Sequence, residues 1–117
     1  MLRLAEGTRI YVAADVVDFR KAINGLSALV IEHFERPVND GSVYVFYNRD
    51  CTRVKCLFWD KNGFVLYHKR LERGRFKFGK AQDGTYVITP QQLDWLFAGL
   101  DFKLMAEFTM LDFTMHF

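Results

Sequence analysis

Ten lysines and arginines fall between Arg49 and Lys80 against three acids, so this segment alone carries +7. The remainder carries six basic and eleven acidic residues, which is −5, and the whole chain sums to +2. A near-neutral protein has thus gathered its positive charge onto one stretch. Clustered guanidinium and ammonium groups neutralise phosphates or carboxylates. The densest run is Lys69-Arg70-Leu71-Glu72-Arg73-Gly74-Arg75-Phe76-Lys77. Gly74 lets the backbone turn sharply, and Arg73 and Arg75 beside it suit a bidentate grip on phosphate. A turn whose charges are simply solvated fits the same residues. The candidate nucleic-acid contacts are Arg53, Lys55, Lys69, Arg70, Arg73, Arg75 and Lys77, with Trp59 and Tyr67 as rings for base stacking.

Other chemistries find little support. There is no Gly-rich phosphate loop, no Gly-x-Ser-x-Gly elbow and no His-Glu-x-x-His. Asp15 and Asp18 stand three apart at an expected helix start, where capping accounts for at least one of them. His68 reads as a half-buried strand residue rather than a base. A DNA-cutting transposase gathers several carboxylates around metal ions, and no such cluster occurs in this sequence. Cys51 and Cys56 are five apart, and His33, His68 and His116 are scattered, so no metal, cofactor or small-molecule substrate is implied.

The elements that must position the basic stretch follow from local pattern. Arg9 to Ala13 reads as a first strand, rich in β-branched and aromatic residues. Asp18 is a plausible N-cap for a helix whose apolar face is Phe19, Ile23, Leu26, Leu29, Val30 and Phe34. Gly25 inside it costs about 1 kcal/mol relative to Ala. Glu35-Arg36-Pro37 ends that helix. Strands follow at Val43–Tyr47, Arg53–Trp59 and Phe64–Arg70. Asn62-Gly63 supplies the positive φ angles of a tight hairpin between the last two. Arg75–Phe78 reads as a fifth strand, Lys80–Gly84 as a loop and Thr85–Ile88 as a last short strand. Thr89-Pro90-Gln91-Gln92 announces a second helix through a capping box and a proline at its first position.

The expected fold is α+β: a mostly antiparallel meander sheet of five to six strands with two helices packed on it. Residues 1–117 read as one domain, large enough for a core without staples. Half of the residues are apolar and twelve are Phe. No apolar run is long enough to span a bilayer, and residues 1–20 lack a signal peptide's features, so the expected compartment is the cytosol. If Phe58 faces Leu66, one sheet face collects Lys55, Leu57, Trp59, Val65, Tyr67 and Lys69. That mixed face is a nucleic-acid surface, or packs Trp59 and Tyr67 under a helix with its lysines reaching out to solvent, or is closed by the C-terminal tail or a second copy of the chain. The longer helix is expected on the opposite face, over Val54, Cys56, Phe58 and Leu66.

Taken together, Asp18-Phe19-Arg20-Lys21, Asn24-Gly25-Leu26, Val45-Phe46, Lys55-Cys56-Leu57-Phe58-Trp59-Asp60 and Gly63-Phe64 form a recognisable series. It continues with Lys69-Arg70-Leu71-Glu72-Arg73-Gly74-Arg75-Phe76, Gln92-Leu93 and Leu96-x-x-Gly99-Leu100. This series resembles the small TnpB accessory proteins of the insertion sequence 66 family, across about residues 8 to 101. Phe19 stands where methionine is usual, Phe78-Gly79 replaces a common Trp-Pro, and the tail 102–117 is unlike the family's short basic ends. The resemblance implies a non-catalytic part in DNA transposition beside a separate, larger transposase. The expected direct partner is DNA or the transposase, with a homodimer as a further expectation.

Overall fold

The computed structural model describes residues 4–78 and 86–99. Its elements are β1 (Ile10–Val12), α1 (Ile23–Leu29) continued by a π-helical turn (Val30–Phe34), β2 (Val43–Tyr47), β3 (Arg53–Asp60), β4 (Gly63–Arg70), β5 (Tyr86–Ile88) and α2 (Pro90–Phe97). The strands form one five-stranded sheet in the order β4-β3-β2-β1-β5. The fold is α+β, as expected. Among the described strands only β1–β2 pair in parallel, because α1 and its π turn carry the chain over the sheet between them. The β2-β3-β4 part is the meander, and β5 runs antiparallel to β1 on the far side.

Cross-strand register assigns the two faces, since opposed residues point the same way. One face holds Ile10, Val12, Val43, Val45, Val54, Cys56, Phe58, Val65, Tyr67, Lys69 and Ile88. It is covered by α2, whose Leu93, Leu96 and Phe97 are buried. Phe97 stacks on Tyr67 with ring centroids 5.2 Å apart. The other face holds Tyr11, Tyr44, Phe46, Lys55, Leu57, Trp59, Phe64, Leu66 and His68. It lies under α1 and the π turn, where Phe34 sets its edge against Tyr44 and Phe46.

Several sequence expectations are corrected by this arrangement. The longer helical segment lies over Lys55 and Leu57, not over Val54 and Cys56. Phe58 opposes Val65 and Leu57 opposes Leu66, so Trp59 and Tyr67 sit on opposite faces. The cause is the hairpin turn: Lys61 holds the positive φ, at 53°, and Gly63 already belongs to β4. Pairing Phe58 with Leu66 would need a three-residue loop, Lys61 to Gly63. The loop has only Lys61 and Asn62, and that one-residue difference puts every β4 side chain on the other face. The first helix begins at Ile23 with Ala22 as its N-cap; Asp18 instead closes a tight turn, accepting from the Arg20 amide at 2.9 Å. Arg75–Phe78 is not a strand. Phe76 is buried at 2% exposure, and Phe78 stacks on Tyr47 at 4.2 Å. The segment therefore packs through side chains rather than through a backbone ladder.

Other expectations hold. Thr89 and Gln92 form the capping box, and Gly99 follows α2 in the left-handed conformation at φ 86°. Gly74 takes its turn at φ 76°. The loop expected at 80–84 and the tail at 102–117 lie outside the described residues. Among the described residues no helix is long and apolar enough to cross a membrane.

Candidate nucleic-acid interface

β1 and β2 finish at the same end of the sheet, where β3 begins and β4 ends. The turn from β2 to β3 is organised by Asn48. Its Oδ1 accepts from the amides of Thr52 at 2.9 Å and Arg53 at 3.0 Å, while its backbone carbonyl accepts from the Cys51 amide. Cys51 takes a positive φ of 57° to complete the turn. The segment after β4 wraps this turn: the Leu71 amide donates to the Thr52 carbonyl at 2.8 Å, and the Phe76 amide to the Cys51 carbonyl at 2.7 Å. These bonds bring Arg49, Arg53, Arg70, Arg73, Arg75 and Lys77 to one rim of the molecule.

Within the rim, Arg53 and Arg70 are direct cross-strand partners. Like charges directly opposed are destabilising unless an anion sits near them. Arg70 finds one in Glu72, at 2.9 Å. Arg53 makes no salt bridge among the described residues. Arg73, Arg75 and Lys77 are exposed on the wrapping segment, with Gly74 turning the chain between the two arginines. Beside them His68 meets the edge of the Phe19 ring at 5.8 Å. Partial burial pushes the imidazole below the ordinary histidine value, and the charges of Lys55, Arg53 and Arg70 push it the same way. At the neighbouring α1 entry, the Arg20 guanidinium holds the Asp18 carboxyl down at about 2.

The remaining sequence candidates are spoken for within the fold. Lys55 is 6% exposed, and its Nζ donates to the carbonyls of Phe19 at 2.9 Å and Lys21 at 2.8 Å. Its ammonium also lies 4.8 Å from the centre of the Phe19 ring. Lys69 is on the α2 face, donating to the carbonyl of Phe97 at 2.9 Å. Tyr67 has Phe97 on its ring. Trp59 is half-buried at the far hairpin tip, edge-on to Phe64 at 5.0 Å and away from the basic rim. The structure therefore brings together Arg53, Arg70, Arg73, Arg75 and Lys77, and separates them from Lys69 and from both stacking candidates.

Two rim members, Arg49 and His68, were outside the sequence-based site. The signal for Arg49 was the turn chemistry of Asn48 to Thr52, which hands a neighbouring side chain to solvent. His68 follows from strand alternation once the register is known. A cleft of about 460 Å³ also opens at this end, between Val16, Val17, Asp18 and Phe19 on one side and Asn48, Arg49 and Asp50 on the other. A larger cleft, about 610 Å³, lies between the β1–α1 connection and the π turn. Its titratable lining is Asp15, Asp18, Lys21 and His33, which is mixed in sign and does not select an anion. Among the described residues no group of three or more His, Cys, Asp or Glu is placed to hold a metal ion. Cys56 is fully buried, which pushes its thiol far up and leaves it inert.

Comparison with known proteins bears on what such a rim serves. The family model described as IS66 Orf2 like protein matches residues 8–107. Two Sinorhizobium fredii proteins, both named as uncharacterized, align over nearly the whole chain. One, y4jC, is 40% identical over 101 residues, covering 86% of each chain. The other, y4hO, is 33% identical over 107 residues, covering 92% of this chain and 93% of its own. No solved structure matches the chain.

Proposed function

The chain belongs to the IS66 Orf2-like family, a family with an accessory role in transposition, and from that membership we propose that it serves transposition by binding DNA without catalysing its cleavage. The observation that supports this reading is the rim of Arg49, Arg53, Arg70, Arg73, Arg75 and Lys77, gathered by the Asn48 turn and the segment wrapped around it. Backbone phosphates are the partner that such a rim fits. With Trp59 and Tyr67 packed elsewhere, base stacking contributes little, so binding is expected to be weakly selective for sequence.

The test is a titration of DNA from the element's ends with the full chain, in the absence of the transposase. Arg73→Ala combined with Arg75→Ala weakens binding to all sequences alike and reduces the magnitude of the salt slope by about 2, because about one phosphate contact is lost per arginine. Melting stays unchanged, since both side chains are exposed. Unfolding of the double variant, or unaltered affinity, sinks the assignment. A second reading, docking on an acidic surface of the transposase, draws on the same rim cations. It is favoured instead if the wild-type chain binds no DNA at low salt but does retain the transposase.

A further inference from the structure

Among the described residues β4 ends the sheet on its side, yet it is not built like a strand that stops one. Natural edges are blunted by short length, bulges, prolines or charges spread along the strand. β4 has eight residues, and its register with β3 runs unbroken from Arg53↔Arg70 to Asp60↔Gly63. It contains no proline, and its charges are confined to His68, Lys69 and Arg70. Gly63 to Tyr67 carries none, and Val65 is 37% exposed. β3 and β4 also run on past Tyr44, the last β2 residue paired with β3, so the tip with Phe58, Trp59 and Phe64 projects from the sheet half-buried.

The direction of each backbone group follows from one bond. The Leu71 amide donates to Thr52 of the β3 side, and antiparallel bonding alternates every second residue. Odd-numbered residues of β4 therefore bond β3. Phe64, Leu66, His68 and Arg70 turn their amides and carbonyls outward.

We propose that this edge pairs antiparallel with β4 of a second copy of the chain, about a twofold axis at Tyr67. That register sets Phe64 against Arg70 of the copy and Leu66 against His68, so every outward group finds a partner. A twofold perpendicular to the sheet keeps each face on its own side, which requires opposed residues to be both odd or both even. This register meets that condition. Charge decides the direction: parallel pairing would stack His68, Lys69 and Arg70 on themselves. Antiparallel pairing lays the basic half of one strand along the apolar half of the other, with Arg70 across from the Phe64 ring. The result is one continuous ten-stranded sheet, and the inference does not depend on DNA binding.

Light scattering or sedimentation of the full chain at micromolar concentration is expected to give twice the 13.7 kDa of one chain. Leu66→Pro removes an outward amide while leaving the β3 ladder whole, a position where edge strands accept proline. The variant is expected to stay folded and to lose the doubled mass. Val65→Lys, which adds a charge to the uncharged half of the edge, does the same and decides the matter if the proline variant unfolds. Amide exchange at Leu66 and His68 slows as concentration rises. A monomeric wild type overturns the proposal, as does a dimer indifferent to both substitutions. So does protection of those amides at every concentration, which would assign the edge to residues of the same chain beyond Gly99.

Discussion

Lys55 and His68 are opposed on the same sheet face, both are basic, and their environments give them different work. Lys55 is enclosed, and burial, followed by the charge of Arg53, lowers its pKa. The carbonyls of Phe19 and Lys21 take up its ammonium. His68 stands at the rim partly buried, with Lys55, Arg53 and Arg70 around it, so burial first and those charges second disfavour its charged form in the free protein. The sign follows directly. A histidine whose pKa is lowered on folding adds stability at high pH and loses it as pH falls below the ordinary value near 6.5. A phosphate bound beside Arg53 and Arg70 reverses that balance, because it favours the imidazolium. DNA binding is therefore expected to take up a proton and to tighten as pH falls from about 7.5 to about 5.5. An affinity series over that range, repeated with His68→Gln, checks this: the variant should show a flatter profile. An identical slope in the two proteins removes His68 from the interface.

At the scale of elements, the same lysine acts as a tie. Lys55 projects from the middle of β3 and holds the carbonyls of the Phe19–Lys21 turn, which leads into α1. Ala22 offers α1 no side-chain cap, so this tie supplies positioning that a capping residue would normally give. Charged donors to carbonyls contribute more than neutral ones. Lys55→Met keeps the aliphatic stem and is expected to cost about 2 kcal/mol, read as a lower urea midpoint. Since the ammonium does not reach the rim, DNA affinity should change little at temperatures where the variant remains folded. A loss of affinity without a loss of stability would place Lys55 at the interface after all. Tyr47 plays a comparable part on the other side, its hydroxyl donating to the carbonyls of Ala13 at 3.0 Å and Ala14 at 3.1 Å. Burial, with the nearby Cys51 and Asp15, pushes that phenol up to about 12, so it stays a donor throughout the physiological range.

For the whole molecule the consequence is polarity. One end of the sheet collects six rim cations, and the other ends in the Asp60–Gly63 turn with its half-buried rings. A single chain presenting about six phosphate contacts sets a ceiling on salt dependence: log affinity against log salt should fall with a slope no steeper than about −5. Fluorescence anisotropy on one duplex across a salt series measures it. A slope near zero contradicts phosphate binding through this rim. A slope well beyond that ceiling indicates that two rims engage one duplex, as a β4-paired dimer permits.

Much of this was legible in the residues themselves because it is local. The strand Val43–Tyr47, the Thr89 capping box and the positive φ of Gly74 each depend on a few neighbouring positions. The charge clustering between Arg49 and Lys80 is a matter of counting. Family membership was legible for the same reason, being carried by short runs such as Lys69 to Phe76. Register was not, because one residue more or fewer in the hairpin loop costs little locally yet decides whether Trp59 and Tyr67 share a face. Nor was the parallel β1–β2 pairing, which depends on how α1 crosses the sheet. Which lysines are free was decided last and only in three dimensions. Lys55, Lys69 and Lys77 are alike as letters, but the fold gives the first two backbone carbonyls to hold and leaves the third in water.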